Sequence, residues 1–111
     1  MINYVFNRLY KANDGKHKYV AEYKNKETGK FKLIKFGADG YKDFIQYYKD
    51  DGKEIAENKK KLYIQRHKKN EDWTHSGQLT KGFWSLYILW GPYPDVDKNL
   101  EYLKRNKIIN L

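Results

Sequence analysis

The sequence predicts an α+β domain in which a small N-terminal antiparallel β-meander of three strands packs against C-terminal helices. Three observations lead there. Residues 2–37 fall into three runs of strand character separated by glycine-containing turns. Beyond residue 41 the spacing lengthens to that of helices, with Gly52, Gly77 and Gly91-Pro92 as stops. The 111 residues contain no repeat and no linker-like stretch, which fits a single domain spanning 1–111.

In the first strand (2–10), Ile2, Tyr4, Phe6 and Arg8 alternate with Val5 and Leu9. Asp14-Gly15 is a hairpin signal. The second strand (17–24) places Tyr19, Ala21 and Tyr23 on one face, and a turn at 25–30 uses Gly29 where positive φ is needed. The third strand is 31–37, and Lys18, Lys24 and Lys32 are expected to project into water from the opposite faces. Residues 37–41, GADGY, form a turn; they lack the Gly-Lys-Ser/Thr ending of a phosphate loop and carry Asp39 where an anion would sit. A short helix is expected from near Asp43 to residue 51, broken by Gly52. A longer one covers 53–70, with Ile55, Leu62 and the Lys59 stem on one face and Tyr63 and His67 as an i, i+4 pair. After a loop at 71–80, Thr80 caps the most apolar helix, 81–90, which places Trp84 in the core. Asp95 caps a last helix over 96–106 with Leu100 and Leu103 inward, and the tail 107–111 adds an edge strand or docks on the core.

Eleven Tyr, five Phe and three Trp offset a modest apolar content, because each ring fills much of a small core. No stretch approaches the length of a membrane span, and the first residues lack a signal-peptide layout. The absence of cysteine removes disulfides, thiolate nucleophiles and cysteine zinc sites, and fits a reducing compartment. Charge is more informative. The net +9 is uneven: nine basic against three acidic groups in 1–36, three against six in 37–58, seven against two in 59–85. Two basic regions flanking an acidic one suggest a positive face attractive to polyanions. Lysines outnumber arginines twenty to three, so any nucleic-acid contact is expected to be a point-charge grip indifferent to base sequence.

The stretch 59–77, KKKLYIQRHKKNEDWTHSG, concentrates the candidates. Lys59, Lys60, Lys61, Arg66, Lys68 and Lys69 are the expected phosphate contacts, with Trp73 as a base-stacking platform or a core residue. His67, Glu71 and His75 would align on one straight helix, but Asn70 and the loop around Gly77 interrupt it, so no metal site is expected. Ser76 and Ser85 could be combined with a histidine and Asp72, yet neither serine sits on a Gly-x-Ser-x-Gly elbow. No catalytic residue and no cofactor are assigned.

Several motifs resemble those of small, basic, uncharacterised proteins of nucleocytoplasmic large DNA viruses. They are Phe36-Gly37 with Gly40-Tyr41; Arg66-His67; Glu71, Trp73, Thr74 and Gly77; and Gly82-Phe83-Trp84-Ser85 with Leu89-Trp90 and Pro92. The likeness covers roughly residues 30–95 and departs at the acidic stretch 43–57 and at Leu86, where a basic residue is expected. It implies a viral protein acting in the virion or in the host cytoplasm or nucleus. Two non-enzymatic uses follow. One is sequence-independent nucleic-acid binding in genome packaging or replication. The other is a minor capsid or cement role with viral capsid proteins as partners, favoured by abundant tyrosine.

Overall fold

In a computed structural model, residues 3–111 fold as a three-stranded antiparallel sheet followed by helices, an α+β architecture. The strands β1 (Tyr4–Lys11), β2 (His17–Asn25) and β3 (Phe31–Ala38) pair in sequence order as a meander. Ile2, placed in the first strand by its alternation, lies outside the described residues. Each hairpin turn is opened by a polar side chain that accepts from two amides. Asp14 Oδ1 accepts from the Lys16 and His17 amides (both 2.9 Å), and Asn25 Oδ1 from those of Glu27 and Thr28 (2.9 and 3.1 Å).

The strict alternation read for the first strand does not survive. A bulge at Asn7 shifts the register between Phe6 and Arg8, so Leu9, opposite Ala21, joins Phe6, opposite Tyr23, on the core face. Arg8 goes to the outer face, where its guanidinium meets Glu22 (Nε–Oε2 3.1 Å). Two of the three lysines expected in water are exposed, but Lys18 is not: it donates to Asp43 (2.7 Å) and to the Tyr41 carbonyl. Lys32 is exposed although its pairing with Tyr23 puts it on the core side, at the end of the sheet.

Helix α1 (Phe44–Asp51) starts where Asp43 Oδ1 accepts from the Gln46 amide (3.0 Å). Gly52, at φ 92°, turns the chain into α2 (Lys53–His67), which ends three residues earlier than its sequence suggests. The most apolar segment begins as α3 (Lys81–Trp84), capped by Thr80, and widens into a π-turn over Ser85–Leu89, where the Trp90 amide reaches back to Ser85 O (3.2 Å) and Leu86 O (3.0 Å). The Ile88 carbonyl lies in the last turn, and Pro92, four residues on, has no N–H to offer it; the buried Asn99 side-chain amide donates to it instead at 2.9 Å. Helix α4 (Val96–Arg105) follows Asp95 and ends in a Schellman turn, with Lys107 at φ 55° and the Ile108 amide on Leu103 O (3.0 Å). The tail docks on the core: Ile109 is buried and Asn110 O accepts from the Phe6 amide at 2.8 Å.

Trp84 is the centre of that core. Phe6 stacks on it at 5.4 Å, and Tyr23, Phe36 and Phe83 surround it at 5.8–6.0 Å. Its indole N–H donates to Gln78 O (2.7 Å), so the ring is buried with its polar atom satisfied. Among the described residues, no helix is long and apolar enough to cross a membrane.

Candidate nucleic-acid interface

The face that α2 turns inward is Ala56, Lys60, Tyr63 and His67, one position away from the Ile55–Lys59–Leu62 stripe that hydrophobicity selects. Ile55 and Leu62 are 46% and 51% exposed, whereas Ala56 is buried. The choice is made by what the helix meets. Lys60 Nζ donates to Gly91 O (3.0 Å) and lies 3.9 Å from the centre of the Phe44 ring; its side chain is only 16% exposed. Burial lowers its pKa, opposed by Glu57. Tyr63 is sandwiched between His67 (4.3 Å) and Trp90 (4.5 Å, planes 7° apart), and Trp90 leads on to Tyr47 at 6.3 Å. This ring column joins α2 to the end of α3 and to α1. Burial pushes the Tyr63 hydroxyl up to about 12, with the Glu71 charge adding to the shift and a hydrogen bond with Ser85 opposing it.

The six cations of 59–69 therefore separate. Lys59 and Arg66 line a cleft of about 490 Å³ between α2, the 37–43 corner and the end of α3. Lys60 is committed to Gly91 and is not free for a phosphate. Lys61 lies on another side of α2, beside Ile64 and Gln65. Lys68 and Lys69 are exposed in the turn that follows. Trp73 is half-buried: its carbonyl accepts from Tyr87 OH (2.7 Å), and its indole N–H is buried without a partner among the described residues.

The cleft also gathers residues whose sequence position gives no hint of it. Tyr41 and Lys42 come from the corner, Tyr47 from α1, and Ser85 and Trp90 from the start and the end of the π-turn that follows α3. Lys42 is paired with Asp51 (3.2 Å) and Asp50 (3.4 Å), chiefly the hydrogen bond to Asp51 raising its pKa. Asp43 is the one carboxylate among the lining residues, and it is engaged by Lys18 and by the first turn of α1. Among the described residues, neither Lys59 nor Arg66 has a carboxylate partner. Gly37, Tyr41, Arg66, His67, Ser85, Leu89 and Trp90, drawn from three of the motifs noted above, meet here.

The histidines go separate ways. His67 stacks on Tyr63, the i, i+4 pair expected. His75 Nε2 lies 2.7 Å from Asn110 Oδ1. The Glu71 carboxylate lies over Gly82, occupying the space a Cβ would need there. Among the described residues, no group of three or more His, Asp or Glu side chains is placed to hold a metal ion. Nor do the hydroxyls form a triad with them: Ser85 faces the cleft, whereas Asp72 is taken up by the Thr74 hydroxyl (2.5 Å) and amide (2.9 Å). No protein-family model, curated protein or solved structure matches the chain.

Proposed function

We propose that this is a non-enzymatic domain that binds nucleic acid through its phosphates, without reading base sequence, and that the α2 wall of the cleft is its contact surface. The observation that carries the reading is the pair Lys59 and Arg66, both free of carboxylates among the described residues and set beside aromatic side chains in one concavity. Cations that track a backbone, combined with rings, are the working parts of sequence-tolerant binders. Taken with the resemblance to viral proteins, this reading assigns the domain to genome handling in the virion or the virus factory.

Salt dependence tests it. With Lys60 committed elsewhere, two or three contacts remain, so affinity for single strands should fall with a log–log slope of roughly −2. Lys59→Glu combined with Arg66→Glu should abolish most of that slope and weaken binding to all sequences alike. Absence of binding to any DNA or RNA at about 50 mM salt would refute the reading. A second reading, attachment to a capsid protein, is favoured by the outer face of the sheet, where Phe31 and Leu33 are exposed beside Val5. Stoichiometric copies in purified particles, together with loss of incorporation in Phe31→Ser, would favour it.

A further inference from the structure

We infer that the cleft is a pocket for one unpaired nucleotide, its base entering between Tyr41 and Leu62 and its phosphate held at the mouth by Lys59 and Arg66. This rests on the nucleic-acid reading and adds a ligand class to it: single strands, and not duplex. Three observations converge. The volume, about 490 Å³, lies within the range of small-ligand pockets, so it can hold a base and sugar but not a base pair flanked by its helix.

The electrostatics suit an anion. The lone lining carboxylate, Asp43, is already shared between the Lys18 ammonium (2.7 Å) and the Gln46 amide (3.0 Å), which leaves the two α2 cations unopposed. The apolar content suits a planar ring. Tyr41 is 74% exposed and Leu62 half-exposed, yet both line the cleft, one from the corner and one from α2.

Tyr41 is also presented firmly. Its carbonyl accepts from Lys18 Nζ, and Gly40 at φ 89° makes the turn that delivers it, so the backbone is held while the ring faces solvent. Tyr63 cannot serve as the platform, since both its faces are covered by His67 and Trp90. Instead it and Ser85 line the cleft with hydroxyls, which can bond base edges without demanding one base.

The test is titration of a labelled oligothymidine and oligoadenosine, the duplex they form together, and adenosine monophosphate, against wild type and variants. Tyr41→Ala should weaken single-strand binding by on the order of tenfold and leave duplex binding unchanged, as for loss of one stacked base. Leu62→Ala, which removes apolar surface without adding charge beside Lys59 and Arg66, should have the same selectivity, and both positions are exposed enough for the fold to persist, which circular dichroism checks. Lys59→Glu should weaken both forms. Displacement of the oligonucleotide by adenosine monophosphate would identify a free nucleotide as a sufficient ligand; binding of strands alone would identify the strand as the source. If Tyr41→Ala and Leu62→Ala bind single strands like wild type while Lys59→Glu does not, the pocket is refuted and backbone binding stands. Duplex binding as tight as single-strand binding refutes the pocket too. Failure to bind any of these ligands refutes both.

Discussion

Around Trp84, four aromatic rings from the three strands and α3 close a core whose single indole N–H is satisfied by Gln78. Across the cleft, α1 and α2 are attached quite differently. Their joint is the buried Phe44 and Ala56, Lys60 on a carbonyl, a column of rings from His67 to Tyr47, and the Lys18–Asp43 pair, while Ile55 is left exposed. The first region is stabilised by apolar area removed from water. The second buries fewer apolar side chains, Phe44 and Ala56, and depends more on directional contacts, each modest once its desolvation is counted. The helical pair should therefore open at lower free energy than the sheet, and the cleft lies at the seam between the two.

Breaking the first region should have the largest effect. Trp84→Ala removes the central ring and should cost about 3–5 kcal/mol in urea unfolding, enough to leave a domain of this size barely folded. Near-native stability in that variant would mean the core does not centre there.

Alkaline titration probes the second region. Because the folded state holds Tyr63 neutral, with a pKa of about 12 against an ordinary 10.0, its contribution is complete below pH 10 and is lost as pH rises through about 12. Stability to urea should fall in that window, and Tyr63→Phe should remove Tyr63's share of the fall. A smaller loss, about 1 kcal/mol, is expected for Tyr63→Leu, which keeps bulk but ends the stack on Trp90. Exchange protection should fall in α2 and not in β2; a uniform fall would erase the distinction between the two regions. Smallest of all is Lys60→Met, which keeps the stem under Phe44 and removes a desolvated charge: a change within about 1 kcal/mol, with the salt slope of nucleic-acid binding unaltered. A flattened slope would show Lys60 to be a phosphate contact after all.

The meander was legible because Tyr19, Ala21 and Tyr23 alternate cleanly and polar turn residues bound each run. The bulge at Asn7 was not, since nothing local distinguishes Asn7 from a strand residue that points outward. Trp84 and Leu103 were readable as core from their apolar neighbours. The face of α2 was misjudged by one residue because its partners, Trp90 and Gly91, lie some thirty positions downstream; only the tertiary fold makes Lys60 an inward residue. For the same reason Lys59 and Arg66 could be named from a basic run, whereas Tyr41, Lys42 and Tyr47, contributed by a turn and a different helix, could not.

Asn110 uses both backbone groups and its side chain: its carbonyl accepts from Phe6, its amide donates to Gln78, and its side chain reaches Tyr4 O and His75. The outer edge of strand β1, at Tyr4 and Phe6, is thus covered by a residue more than a hundred positions downstream. During translation the meander waits with that edge open until Asn110 has emerged, and closure is a contact between residues 106 positions apart, the kind that forms slowly. A chain stalled just short of residue 110 should retain the meander while leaving its outer edge exposed to other strands.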